Sequence, residues 1–526
     1  MEMKLCKDWN KFAEEAKSLN SEKLYKRIKN KVSHSSMNDL VYLIWSYANY
    51  FYFGRSIPKD IPFPRDIVPT RKYRLQSQET KLKLGILPWE LDPFSIFVLH
   101  YGGESTDKTM LTGNRFVDTI NYIKALTDKS AEDEAADLNS SIWRLQHQQF
   151  PLQVYNSLDI ISRYYKLYSN KELRSLLEKH FGGKYRFERI LIIGLSLTGY
   201  FLSKYSFKTI SIQEKIEDLE QEDFDLFLSM YSSSAEEMLQ KLNIPNRYTK
   251  NFAYLASPLI AYPLLKYEDH TYCPIPQYLL ERITIGLRYD LLKEEVGEIN
   301  SAFGFAFENY IRELTESNSE SLSFVFPDED YYVGKKRKDK IDAIIEDTSG
   351  IIFIECKSGY ISSLSSRTEK LGYKDTAKKI AEDIIQAYRT LVDYKANKYP
   401  HCKYNKNKKK FLYLLTLNEV FLIPDFGDTS MLKLINNIIW EEIPKEITEE
   451  FPWYLCSSRV YEQLLQLLEP ADYQISNFMK DEGTTITPGV ISTPMKIYRP
   501  VSQMVGLRQD VISQVINIYR GRENPI

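Results

Sequence analysis

The stretch KIDAIIEDTSGIIFIECKSG, residues 340–359, decides the fold of the second half of the chain. Two apolar runs flank a polar break at residues 347–350, and this pattern predicts a β-hairpin. Three ionisable residues interrupt the runs: Asp342 in the first, and Glu355 and Lys357 at the end of the second. Burial of an ionised group costs free energy unless a partner compensates for it. We therefore expect each of these three groups to have a partner that compensates the cost of its burial.

Side chains of the second predicted strand, residues 351–357, alternate between the two faces of the sheet. One face carries Ile352, Ile354 and Cys356, and the other carries Ile351, Phe353, Glu355 and Lys357. Both faces begin with apolar residues, which is typical of an interior strand. Glu355 and Lys357 then emerge together at the strand end. Asp342, on the partner strand, is expected to bring its carboxylate close to Glu355.

Two neighbouring carboxylates repel each other unless a positive charge lies between them. Asp342, Glu355 and the backbone carbonyl of Cys356 would form a hard oxygen site suited to Mg²⁺ or Mn²⁺. Lys357 would then lie beside the metal and stabilise a hydroxide nucleophile or the charge of a transition state. The alternative is a structural ion pair, Glu355 with Lys357 or Asp342 with Lys340, at a solvated strand end.

The chain of 526 residues is too long for one core, so two to four domains are expected. Residues 1–290 show helical spacing of apolar residues, for example at 40–54, 114–127 and 157–170, and predict a mainly helical N-terminal region. The apolar stretch 190–202 is too short to span a bilayer and predicts a core helix. Residues 291–425 predict the order α-β-β-β-α-β, a mixed sheet flanked by helices, and residues 426–526 predict a small α/β extension.

The net charge of −2 is unevenly distributed. Residues 335–410 contain 19 Lys and Arg against 10 Asp and Glu, a balance of +9, so the rest of the chain carries −2 − 9 = −11. A basic island in an acidic chain favours a local anionic partner such as nucleic acid. The candidate contacts are Lys335, Lys336, Arg337 and Lys338, and the alternative is a merely solvated loop.

The five cysteines and six histidines are scattered and form no CxxC pair. This pattern argues against structural zinc and against a disulfide scaffold. The start of the chain, MEMKLCKDWNKFAEEAKSL, predicts an amphipathic helix rather than a secretory signal. A cytoplasmic location without membrane association is the expectation. The helical N-terminal region is a candidate for contacts with a protein partner or a second copy of the chain.

The Asp…Glu-x-Lys arrangement of Asp342, Glu355 and Lys357 resembles the PD-(D/E)XK superfamily of restriction-endonuclease-like nucleases. The resemblance covers roughly residues 300–425. It implies an α/β nuclease core with the order α-β-β-β-α-β and a divalent metal, Mg²⁺ or Mn²⁺. It also implies that Glu308, on the preceding helix, is a further acidic metal ligand. Gln386 matches the Gln that one exonuclease-like branch carries on the following helix, and Thr390 stands where that branch usually has Tyr.

The resemblance implies a metal-dependent nuclease that cleaves phosphodiester bonds, with DNA the first candidate substrate. The predicted catalytic residues are Asp342, Glu355, Lys357, Glu308 and Gln386. The lead-in from residue 273 to residue 311 resembles large bacterial nuclease-like proteins, several of them linked to defence against phage. The alternative is a nuclease-like fold without catalysis, kept as a nucleic-acid-binding or assembly module.

Overall fold

The structure is a computed structural model that describes residues 18–56, 88–103, 113–134, 143–144, 157–183, 186–208, 220–292, 296–317, 322–359, 372–420, 431–468, 474–478, 485–487 and 489–492. The chain divides into two compact units. Of the described residues, the first unit contains those up to 161 and those from 178 to 290. The second unit contains residues 162–177 and those from 291 onwards.

The first half of the chain is mainly helical. Its described α-helices are α1 Ser21–Ser33, α2 Met37–Phe53, α3 Leu91–Tyr101, α4 Gly113–Glu134, α5 Ser157–Tyr168, α6 Lys171–Phe181, α7 Arg186–Phe201, α8 Gln221–Tyr231, α9 Ala235–Lys241, α10 Pro276–Arg282 and α11 Ile285–Leu292. The helices predicted at 40–54, 114–127, 157–170 and 190–202 are confirmed as α2, α4, α5 and α7. The amphipathic helix predicted at the start of the chain lies outside the described residues, apart from its last two positions.

A small sheet in this half was missed by the sequence analysis. It consists of β1 Ser206–Lys208, β2 Ser232–Ser234, β3 Leu264–Tyr267 and β4 His270–Tyr272, in the order β1-β4-β3-β2. Strands of three or four residues are too short to show a clear alternating pattern, so composition alone favoured helix and loop. In the part of the chain that the structure describes, no helix is both long and apolar enough to cross a bilayer.

The second unit is a sheet with helices. Its further strands are β5 Ser323–Val325, β6 Tyr331–Val333, β7 Lys336–Lys338, β8 Ala343–Glu346, β9 Gly350–Lys357, β10 Lys409–Thr416, β11 Trp453–Ser457, β12 Thr485–Thr487 and β13 Gly489–Ser492. Its further helices are α12 Val296–Glu316, α13 Gly372–Lys395, α14 Met431–Glu442, α15 Lys445–Glu450, α16 Ser458–Leu468 and α17 Ile475–Phe478.

Seven strands form one mixed sheet in the order β12-β13-β11-β10-β9-β8-β5. The strands β5, β8 and β9 pair antiparallel, whereas β9, β10, β11 and β13 run parallel. The order α12, β5, β8, β9, α13, β10 agrees with the mixed α/β arrangement predicted for residues 291–425. Strands β11, β12 and β13, from the predicted C-terminal extension, belong to the same sheet.

Two local predictions need correction. The basic residues 335–338 were expected in a loop, but residues 336–338 form strand β7, which pairs antiparallel with β6. A two-residue turn joins these strands, and its first residue, Gly334, has a φ of +62° that favours glycine. The stretch EVFLIP, residues 419–424, also predicts a strand. Glu419 and Val420 are not in a strand, and residues 421–424 lie outside the described part.

The spacing of apolar residues around 304–317 and 376–394 predicts two amphipathic helices, and the structure confirms their core faces. On α12 the buried stripe is Phe303, Phe307, Tyr310, Ile311 and Leu314, and on α13 it is Ile380, Ala381, Ile384, Tyr388 and Leu391. Strand β9 is buried on both faces from Gly350 to Cys356. The ring of Phe353 lies 4.8 Å from that of Tyr394 on α13, so the Phe353 face of β9 packs against this helix.

The turn between β8 and β9 is stabilised by Asp347. Its Oδ1 accepts hydrogen bonds from the backbone N–H groups of Ser349 and Gly350, both at 2.7 Å, which explains the polar break in the sequence. Its Oδ2 accepts a bond from the N–H of Ile475 at 2.6 Å. A Cβ at position 350 would lie 2.9 Å from a methyl group of Ile475, so this close approach requires glycine.

Candidate metal and nucleic-acid site

Asp342 lies just before β8, beside the end of β9. The pairing of β8 with β9 ends at Ala343, which lies opposite Ile354. The backbone N–H of Asp342 donates to the carbonyl of Ile354 at 3.1 Å. Its Oδ2 accepts a bond from the N–H of Cys356 at 2.6 Å. The hairpin thus fixes the Asp342 carboxylate at the end of β9, where the sequence predicted it.

Lys357 lies between two acidic side chains. Its Nζ is 2.8 Å from Oε1 of Glu355 and 3.5 Å from Oδ1 of Asp383 on α13. The Glu355 side chain is only 5 % exposed, and those of Lys357 and Asp383 are 26 % and 18 % exposed. The predicted contact of Glu355 with Lys357 is therefore present as a buried ion pair. Sequence reasoning missed Asp383, although it lies one helical turn before Gln386.

Glu308 approaches the same carboxylates from α12. Its pKa is raised to about 7, mainly by burial and next by the nearby carboxylate of Asp342, while Lys340 and Lys357 oppose this rise. Glu308 is half-buried. We call Glu308, Asp342 and Glu355 the carboxylate cluster. Three elements supply it: α12, the residue just before β8, and the end of β9.

The surroundings of the carboxylate cluster disfavour the ionised form of its carboxyl groups. Burial raises the pKa of Glu355, and so does the charge of Asp342, while Lys357 opposes both effects. Burial also raises the pKa of Asp342, against the bond from the Cys356 N–H and the charges of Lys340 and Lys357. For Lys357, burial lowers the pKa, but the carboxylates of Glu355 and Asp383 more than reverse this. A further cation would relieve the repulsion between these carboxyls.

The donor set fits a hard divalent cation. Glu308, Asp342 and Glu355 offer carboxylate oxygens, the ligands that Mg²⁺ and Mn²⁺ prefer. Because the N–H of Cys356 points towards Asp342, its carbonyl lies on that same side of β9. As placed within the described ranges, no group of three or more His, Cys, Asp or Glu side chains could hold a metal ion. Oε1 of Glu355 contacts Lys357, so a metal bound by this carboxylate would share it with the ammonium group.

Gln386 occupies a different position. Its amide Nε2 donates to Oδ2 of Asp339 at 3.4 Å, a long contact near the surface. Thr390, one turn later on α13, donates its hydroxyl to the carbonyl of Asp339 at 3.0 Å. These two residues hold the segment that leads from β7 to Asp342. Their contacts suggest a role in placing that segment rather than a direct role in the cluster.

The four basic residues predicted to bind nucleic acid fall into two pairs. Arg337 contacts Asp330 at 2.8 Å, and Lys338 contacts Asp393 at 3.4 Å. Lys335 and Lys336 are exposed at the turn of the β6–β7 hairpin, and within the described residues neither forms an ion pair. Of these four residues, only Lys335 and Lys336 therefore carry a positive charge that is available to a phosphate.

A surface cavity of about 680 Å³ lies at the opposite end of β8, away from the carboxylate cluster. It is lined by Val325, Glu346 and the loop from His401 to Lys406. None of the predicted site residues contributes to it.

Comparison of the chain with protein-family models, with curated proteins and with solved structures found no match.

Proposed function

We propose that the chain is a divalent-metal-dependent nuclease that hydrolyses phosphodiester bonds, with DNA as the expected substrate. The observation that carries the proposal is the juxtaposition of the carboxylate cluster with Lys357 at one end of the sheet. Such a cluster raises the free energy of the metal-free protein, because the buried carboxyls resist ionisation. Perturbed ionisable groups of this kind are typical of functional sites.

Glu308, Asp342, Glu355 and the carbonyl of Cys356 would hold the metal. When bound, the metal would neutralise charge on the phosphate and lower the pKa of a water molecule. Lys357 supplies a fixed positive charge beside these ligands, where negative charge develops as the phosphodiester bond breaks. Asp383 contacts the Lys357 ammonium and helps to hold it in place, and its negative charge also raises the pKa of Glu355.

The direct test is incubation of the purified protein with plasmid, linear duplex, single-stranded DNA and RNA in the presence of Mg²⁺, Mn²⁺ or EDTA. We expect cleavage with either metal and none in EDTA. Substrate should still bind in EDTA, because the exposed lysines of the hairpin are separate from the cluster. Efficient cleavage in EDTA would exclude the proposed chemistry.

A second candidate is a nucleic-acid-binding or assembly module without catalysis. One observation favours it: the internal contacts of Asp342 with the Cys356 N–H and of Glu355 with Lys357 satisfy both carboxylates without a metal. This reading predicts no heat of Mg²⁺ binding in calorimetry and no change of melting temperature on adding Mg²⁺. The nuclease reading predicts both.

A further inference from the structure

Two aromatic side chains near the carboxylate cluster are exposed to solvent. Tyr332 on β6 is 67 % exposed and Phe305 on α12 is 60 % exposed, the two highest values among large apolar side chains of the described residues. The next is Trp440 at 46 %, whose indole N–H donates to Thr448. Exposure of two large aromatic rings costs free energy that burial would recover. A binding partner that covers these two rings would recover this free energy.

Tyr332 lies on the outer face of the β6–β7 hairpin. Its neighbour Tyr331 is buried and donates to Asp393 on α13 at 2.8 Å, so this face of the hairpin is anchored to the helix. Because side chains alternate along a strand, Tyr332 points the other way. It pairs directly across the hairpin with Arg337, whose guanidinium is held by Asp330. An aromatic ring beside a cation thus faces solvent.

The hairpin and the cluster are close along the chain. β7 ends at Lys338, and the four residues from there to Asp342 span at most about 14 Å. Phe305 lies three residues before Glu308 on α12, so the two are neighbours on the helix surface. The two most exposed rings of the described chain therefore belong to the two segments that lead into the carboxylate cluster.

We propose that Tyr332 and Phe305 stack on unpaired bases, and that the substrate presented to the cluster is single-stranded nucleic acid. This inference rests on the proposed nuclease function and adds its substrate class. A ring can lie flat on a base only where that base is not enclosed in a duplex stack, and such stacking tolerates any sequence. The exposed Lys335 and Lys336 supply charge complementary to the phosphates of the same strand.

The test compares two fluorescent 12-nucleotide probes by anisotropy in EDTA: oligo-deoxythymidylate, and an abasic oligonucleotide of the same length and charge. We expect Tyr332→Ala and Phe305→Ala each to weaken binding of the thymidylate probe about tenfold. Binding of the abasic probe should not change. Tyr332→Phe should keep wild-type affinity, because it keeps the ring. Trp440→Ala, an exposed aromatic on α14, is the matched control and should change neither.

An equal loss of affinity on both probes, or no loss on either, would overturn the inference, and so would tighter binding of a 12-base-pair duplex than of the thymidylate probe. The same variants also separate this inference from the proposed function. If Tyr332→Ala binds normally while Asp342→Asn abolishes cleavage, the stacking role is wrong and the nuclease function stands. If Tyr332→Ala loses base-dependent binding while Asp342→Asn cleaves normally, stacking stands and the cluster is not the catalytic site.

Discussion

At Lys357 one ammonium group contacts two carboxylates, Glu355 at 2.8 Å and Asp383 at 3.5 Å. A lysine side chain has four rotatable bonds, so a second partner restricts where its charge lies. Asp383 comes from the helix after β9, and its role was invisible in the sequence because an Asp on a helix surface is common. Its position one turn before Gln386 was the only available signal.

We expect Asp383→Asn to reduce cleavage about tenfold while Mg²⁺ still binds, because Asp383 contacts and positions the Lys357 ammonium. The rate should be measured in the wild-type and Lys357→Met backgrounds. In the second background Asp383→Asn should have no further effect, which is the signature of two residues acting through one interaction. Glu382→Gln, an exposed neighbour on α13, is the control. Additive losses in the double variant would contradict a positioning role.

Glu308 makes the stability of the metal-free protein depend on pH. Its pKa rises from 4.5 to about 7 on folding, so the folded state binds the extra proton between these values. The contribution of Glu308 to the free energy of unfolding is therefore greatest below pH 4.5. This contribution is lost as the pH rises through 7. Asp342 and Glu355 shift in the same direction. We expect the melting temperature in EDTA to fall from pH 5 to pH 8.

Glu308→Gln should make this fall shallower, because the substituted group no longer titrates. Glu313→Gln, on the same helix with its side chain 54 % exposed, should behave as wild type. Mg²⁺ should offset the fall, because the metal competes with protons for the same oxygens. A melting temperature that rises between pH 5 and pH 8 in EDTA would show that the cluster is not strained in the metal-free state.

At the level of elements, the β6–β7 hairpin presents two kinds of basic residue. Lys335 and Lys336 are exposed at the turn, whereas Arg337 and Lys338 already contact Asp330 and Asp393. We expect Lys335→Gln with Lys336→Gln to weaken nucleic-acid binding and to lower the log–log salt slope by up to about one per lost phosphate contact. Arg337→Gln with Lys338→Gln should change the slope less. Equal slopes in both double variants would contradict this division.

The amphipathic and hairpin patterns predicted the elements near the site well. The stripe on α12 and the stripe on α13 each identified the buried face, because burial on one side of a helix leaves a period in the sequence. The continuous apolar run of β9 identified an interior strand that is buried on both faces. The hairpin pattern with its polar turn predicted that the Asp342 carboxylate lies close to Glu355. The sequence analysis missed the β6–β7 hairpin, because its strands have only three residues each. Their charged residues are also typical of a loop.

The contacts between distant segments could not be predicted. The docking of Ile475 on the turn at Gly350 joins residues more than a hundred positions apart, and no local pattern reports it. The same holds for Asp383 beside Lys357, which depends on how α13 crosses the sheet. Sequence periodicity gives the face of an element, whereas the partner of that face depends on the tertiary fold.

At the level of the whole molecule, the second compact unit includes a segment from the first half of the chain. Arg163 on α5 forms two bonds of 2.8 Å with the carboxylate of Glu462 on α16, and Tyr310 on α12 donates to the same carboxylate at 2.7 Å. All three side chains are buried. A fragment that begins at residue 291 would leave Glu462 without its cation.

We expect Arg163→Met to destabilise the second unit by about 3–5 kcal/mol, because it removes the guanidinium that compensates the charge of the buried Glu462 carboxylate. Glu462→Gln in the same chain should recover part of the loss. Lys166→Met, on the same helix, removes an ion pair with Glu313 that is largely exposed and should cost less than about 1 kcal/mol. Urea unfolding of the four proteins measures these differences. A loss from Arg163→Met no larger than that from Lys166→Met would show that the pair is not needed.

We propose that Asp342, Glu355 and Lys357 act as one metal-dependent catalytic unit. Its most direct test is to measure the Mg²⁺-dependent cleavage rate and the melting temperature of the same three variants, Asp342→Asn, Glu355→Gln and Lys357→Met. We expect all three to remain folded and to lose cleavage by about a thousandfold or more. Calorimetry should show weaker Mg²⁺ binding for the first two and retained binding for Lys357→Met. Lower melting temperatures with normal cleavage per folded molecule would contradict the account.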